Sequence, residues 1–159
     1  LISDMEKNSA FTSIDLFEEP FWVAFKRGNQ LEHLNSVQPK DLASQNVLLL
    51  NKTHCLRSQI SNLISQQDES DLNTIASSLE TLINLVAAGE GCTLVPALAL
   101  QSAWTTDMGI LVRKLDDQSA NRKIRLVFRK NFTRTKQVHE LAKMIGYQSP
   151  NTVKILMKN

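Results

Sequence analysis

Cysteine is scarce in this chain. Its 159 residues include two, Cys55 and Cys92, and only three histidines, His33, His54 and His139. Cysteines so far apart build no disulfide framework, and histidines without ligand spacing build no zinc site, so neither a metal nor a cofactor is expected. Long apolar runs are missing too: none approaches the ~20 residues that span a bilayer. The first residues, with Asp4 and Glu6 among them, show no signal-peptide pattern. A cytoplasmic protein without a membrane partner is the expectation. Internal repeats and low-complexity segments are also lacking. With 42% hydrophobic and 21% charged residues, the composition is that of one ordinary globular domain or two small lobes, not of a disordered chain.

The net charge of +2 conceals an asymmetry. Residues 121–159 hold ten Lys or Arg against one acid, Glu140, whereas the first 120 hold eight bases and fifteen acids. Such a basic end can touch nucleic acid or an acidic partner. It can equally be the solvated face of a strand in which bases alternate with apolar residues, a reading favoured by the lack of interleaved aromatics for stacking bases.

Hydrophobic periodicity orders the rest. "FWVAFKR" (21–27), preceded by Pro20, reads as a strand. Pro39 suits a first helical position, and "NVLLL" (46–50) is a continuous apolar run of the kind buried parallel strands show. In "THCLRSQISNLISQQ", Leu56, Ile60 and Leu63 recur at helical spacing, so a helix starts near Thr53 and Cys55 lies in its first turn. A strand in "LNTIASS" (72–78) is followed by a capping box of Ser77 and Glu80 and a helix carrying Leu79, Leu82, Ile83 and Val86, which ends at Gly89. "CTLVP" (92–96) closes a strand–helix–strand unit, which implies a parallel or mixed sheet with helices on both faces. "GILVRKL" (109–115) and "RKIRLVFRK" (122–130) read as further strands, Thr133 as the cap of a helix running to Gly146, and the tail from Pro150 as a weaker helix.

Cys55 stands among polar and cationic neighbours just after an apolar run, where a structural cysteine would sit inside one. A thiol reacts as thiolate, and both a helix N-terminus and nearby cations favour that form. His54 and Arg57 are the adjacent candidates, with Arg122 a third if the chain returns to this point. Attack on hydrogen peroxide needs a proton for the departing hydroxide, which His54 or Thr53 can supply or relay. The product is a sulfenic acid, which condenses with a second thiol. The local features leave an inert helix-face thiol equally open. Cys92, inside a predicted buried strand, reads as a small hydrophobe, and His33 and His139 as ordinary surface or boundary residues.

"SSLETLINLVAAGEGCTLVPALAL" (77–100) resembles the signature of the effector-binding domain of LysR-type transcriptional regulators, in which a helix ending in "VAAG" is followed by "G-T-L-P". "LFEEPFWVAF", "THCLRSQ" and "RKIRLVFR" are similar to the hydrogen-peroxide-sensing OxyR branch of that family. The resemblance covers roughly residues 16–146. It implies an α/β fold of two lobes like a type II periplasmic binding protein, with mixed sheets, helices on both faces and an incomplete first lobe. Residues 1–19 would end lobe I, 20–120 form lobe II, and 121–159 return to lobe I. Cys55 falls on the peroxidatic cysteine, with His54 and Arg122 as its catalytic companions and Thr53, Leu56 and Arg57 as substrate-binding neighbours.

The resemblance further implies hydrogen peroxide as effector, a homodimer that becomes a homotetramer in the parent protein, RNA polymerase as a partner, and promoter DNA bound through a helix-turn-helix domain expected outside this chain. One departure stands out. The family's resolving cysteine should follow soon after the reactive one, yet Ile64 occupies that position and residues 59–70 contain no cysteine. Two other functions compete: a LysR-type domain binding a small organic metabolite between its lobes, and a thiol peroxidase, disfavoured because no resolving cysteine follows.

Overall fold

The computed structural model describes residues 1–3, 9–51, 55–64, 75–101 and 107–157. The chain divides into two compact units, residues 1–19 with 121–159 and residues 20–120. It passes between them at Glu19–Pro20 and at Ala120–Asn121.

The larger unit is built on the second half of β1 (Phe11–Lys26). β4 (Cys92–Pro96) and β5 (Ile110–Lys114) flank it, both antiparallel, with Phe25 opposite Cys92 on one side and Leu111 on the other. β2 (Leu49–Leu50) and β3 (Ile75–Ala76) form a parallel pair. A parallel bridge between Val47 and Cys92, with Leu48 N–H donating to the Cys92 carbonyl at 2.8 Å, carries that pair onto β4. A mixed sheet was expected and is found, but "NVLLL" supplies only two residues of regular strand. Of the strand expected over 72–78, Ile75 and Ala76 form β3, and residues 72–74 lie outside the described residues.

α1 (Pro39–Leu42) opens on its proline, as expected. α3 (Leu79–Ala88) buries Leu82, Ile83 and Val86 and stops at Gly89, whose φ of +91° is open to glycine at little cost. Its cap is not Ser77 but Ser78, whose hydroxyl accepts from the Thr81 N–H at 3.1 Å. The capping residue must bond the amide three positions on, and Thr81, not Glu80, holds that place. Gly91 is needed for a different reason: a Cβ there would strike the Asn46 carbonyl oxygen, because Cys92 N–H donates to that oxygen at 2.9 Å and brings the strands together. The two glycines of the "AAGEGC" stretch thus serve a helix end and a strand junction.

The smaller unit contains the first half of β1, β6 (Asn121–Arg129), α4 (Thr135–Gln148) and β7 (Lys154–Ile155). β1 pairs with both β6 and β7, the latter antiparallel with Phe17 opposite Ile155. The strand expected from Phe21 therefore begins ten residues earlier and runs through Pro20. Proline withdraws a ladder donor, and Pro20 falls where the β7 pairing has ended at Glu18 and the β4 pairing has not begun. Three further expectations are corrected. Arg134, not Thr133, is the N-cap of α4, without a side-chain cap bond, and α4 continues past Gly146 to Gln148. The tail from Pro150 forms β7, not a helix, because it finds an open edge of β1 to pair with.

Candidate functional site

β2 leads at its carboxyl end into α2 (Cys55–Leu63). Leu56, Ile60 and Ile64 point into the core, at 9%, 0% and 6% exposure. The buried face therefore steps by four and ends on Ile64, while Leu63 is only half-buried. Ile64, at the position where the resemblance calls for a second thiol, is ordinary packing: its N–H continues the helix to the Ile60 carbonyl at 3.2 Å.

Asn51 is still non-helical and Cys55 already helical, which puts the Cys55 main chain in the first turn, next to the end of a parallel strand. That end of an α/β sheet is where ligands gather and where a helix presents its positive pole. Thr53 and His54 lie outside the described residues, as does the side chain of Cys55. Arg57 is buried, at 7% exposure, and its Nη1 donates to the Leu50 carbonyl oxygen at 2.9 Å. It ties the first turn of α2 to the end of β2 and keeps a cation within one helical turn of Cys55.

Arg122 opens β6 in the smaller unit. Its Nε donates to Glu19 Oε2 at 2.7 Å, and the Glu19 side chain is fully buried while that of Arg122 is 19% exposed. The guanidinium is thus fixed along one edge by a carboxylate on the neighbouring strand. Cys55 and Arg122 belong to different units. Glu19 is the residue that sequence reasoning missed. Its signal was available: along β1, Phe17, Glu19, Phe21 and Val23 alternate as the buried face, and a carboxylate on such a face requires a cationic partner.

Cys92 behaves as expected of a core residue. It is fully buried in β4, and burial pushes its thiol up to about 12, the wrong direction for a nucleophile. His33 is exposed, and His139 Nδ1 lies 2.8 Å from the Thr135 carbonyl one turn back on α4, an ordinary helix-surface contact.

Two α/β units threaded by one continuous strand, with a cysteine-bearing helix following a parallel strand, are the organisation of an effector-binding domain. The chain belongs to the LysR substrate binding domain family, whose model matches residues 1–149. It is 32% identical over 146 residues to the DNA-binding transcriptional dual regulator OxyR of Escherichia coli K12, covering 91% of this chain and 48% of that protein. It is 34% identical over 130 residues to the hydrogen peroxide-inducible genes activator of Pectobacterium carotovorum, covering 81% of this chain and 43% of that one. The chain thus spans about half the length of the curated relatives it matches.

Among solved structures, a reduced form of OxyR from N. meningitidis shares the fold with a TM-score of 0.84 at 24% identity, over 98% of this chain and 72% of that one. A hydrogen-peroxide-bound cysteine mutant of Corynebacterium glutamicum OxyR gives 0.79 at 29% identity, over 89% and 45%.

Proposed function

We propose that this chain is the redox-sensing regulatory domain of an OxyR-like transcriptional regulator, with residues 1–19 and 121–159 belonging to lobe I and residues 20–120 to lobe II. The observation that carries the reading is "THCLRSQ" (53–59), whose Cys55 opens α2, in a chain whose relatives are named as peroxide-inducible activators. Cys55 is the peroxidatic thiol. The helix N-terminus favours its thiolate, His54 and Thr53 handle the proton, Leu56 and Arg57 brace the helical turn that carries it, and Arg122 is the further cation that the family resemblance assigns to it. The thiolate attacks one peroxide oxygen, the O–O bond breaks, a sulfenic acid forms at sulfur, and the departing hydroxide takes a proton to become water. The change in packing then alters dimer or tetramer geometry in a cytoplasmic parent protein that acts on promoter DNA and RNA polymerase.

The oxidised state departs from a dithiol switch. Ile64 stands where a resolving cysteine would, and Cys92 is fully buried with its pKa near 12. The sulfenic acid itself, or a mixed disulfide with a small cellular thiol, is therefore the signalling form. The test is intact mass after a brief, near-stoichiometric peroxide pulse with a sulfenic-acid trap, on the wild type and on Cys55→Ser. One trap adduct per chain, absent from the variant, is expected. Equal labelling of both proteins, or none in either, would overturn the reading.

A further inference from the structure

The cations of residues 121–157 fall into two groups. Arg122 pairs with Glu19, Lys123 and Arg125 with Asp15, Lys143 with Glu140, and Lys154 with Glu18. Arg129, Lys130, Arg134 and Lys136 make no ion pair among the described residues, and the four lie in or directly flank the turn that joins β6 to α4, Arg129 ending the strand and Lys136 in the first helical turn.

The sequence of that turn, "RKNFTRTKQ" (129–137), is exposed at every position. Eight of its nine side chains are hydrogen-bond donors and none is acidic. The exception, Phe132, is 44% exposed. The turn is nonetheless fixed: Lys130 N–H donates to the Ala10 carbonyl at 3.0 Å, and Phe132 N–H to the Arg129 carbonyl at 3.0 Å. Beside it lies a shallow hollow of about 410 Å³ lined by Arg129, Lys130, Asn131, Ala10 and Phe11. α4 begins here with no acid in its first turn, so its positive pole adds to the cations in place of being neutralised.

We infer that this turn is a docking surface for the phosphate backbone of duplex nucleic acid. Arg, Lys, Asn, Thr and Gln are the side chains that contact phosphate, and they fix a protein on a duplex without reading its sequence. An acidic protein surface would be matched by the charges alone. The amide and hydroxyl donors between the cations, beside a shallow hollow edged by Arg129, Lys130 and Asn131, favour the regular anionic backbone. The inference does not depend on the chemistry of Cys55.

The experiment is fluorescence anisotropy of a labelled short duplex of arbitrary sequence, titrated with the whole chain at stepped salt. Three proteins are compared: wild type; a turn variant, Arg129→Ser, Lys130→Ser, Arg134→Ser and Lys136→Ser; and a control variant with four exposed cations of the larger unit removed, Lys26→Ser, Arg27→Ser, Lys40→Ser and Lys114→Ser. Thermal melting checks that each is folded. Wild type and control should bind weakly, with log K falling against log salt at a slope of about −3 to −4, as four phosphate contacts require. The turn variant should lose at least about tenfold in affinity at low salt, and its slope should collapse. Equal losses in both variants would reduce the effect to net charge and overturn the proposal. So would absence of wild-type binding at low salt, or equal competition by polyglutamate, which would identify a generic acidic-partner surface.

Discussion

Among the described residues, those of 20–120 bury twenty-five hydrophobic side chains, whereas those of the smaller unit bury five and include all eight of the exposed large hydrophobics. Charge divides along the same line: residues 20–120 hold seven bases and ten acids, the remainder eleven bases and six acids. The contrast does not come from weaker patterning. α4 is as clearly amphipathic as α3, yet α3 buries Leu82, Ile83 and Val86, while Leu141, Met144 and Tyr147 on α4 are 48%, 64% and 81% exposed. Periodicity decides which side chains share a face. Whether that face is covered depends on the layers available to cover it.

If the larger unit is a closed core and the smaller an open one, truncations should separate them. Phe25→Ala, at a fully buried site between β4 and β5, should cost about 3–5 kcal/mol in urea unfolding, whereas Leu141→Ala should change stability by less than about 0.5 kcal/mol. A comparable loss at both positions would break the comparison.

The smaller unit is instead held by polar ties. Glu19→Ala removes the fully buried carboxylate beneath Arg122 and should cost about 1.5–3 kcal/mol. An effect below that range would mean that Arg122 finds water without strain. The smallest effect is expected at Asp15, whose side chain is 41% exposed. Partial burial raises its pKa, but hydrogen bonds and charge from Arg125 and Lys123 outweigh that and hold the carboxyl below its usual value. The stabilisation is present above the unfolded-state pKa of about 3.9 and is lost as the pH falls through the lower folded value. Solvent screening keeps it below about 1 kcal/mol. Asp15→Asn should therefore lower the neutral-pH melting temperature slightly, leave stability below about pH 3 nearly unchanged, and so flatten the acid limb of the stability–pH curve.

Much of the larger unit was legible because its signals are local. The apolar spacing of α3, the glycine that ends it and the unbroken "CTLVP" run each specify an element without knowledge of the partner. What was misread needed non-local information. "FTSIDLFEEP" carries three acids and a proline, and as a strand it sets each acid against a cation distant in sequence: Asp15 against Lys123 and Arg125, Glu18 against Lys154, and Glu19 against Arg122. The tail after Pro150 has no strong preference of its own and follows the edge it meets. At the candidate site, the position of Cys55 in a first helical turn was readable, and so was the inert character of Cys92. The burial of Arg57 against the Leu50 carbonyl was not, since an arginine in sequence gives no hint of which main-chain oxygen will hold it.

The close approach of Gly91 to Asn46 makes this a position without an alphabet. Alanine, elsewhere the mildest replacement, has one methyl group too many here, because the atom in its way is a main-chain oxygen that no rotamer can move aside. Tolerance to mutation at Gly91 should be nil even though glycine contributes no side-chain contact of its own. A library of substitutions would find that its intolerance tracks the spacing between two strands and owes nothing to the chemistry of the residue brought in.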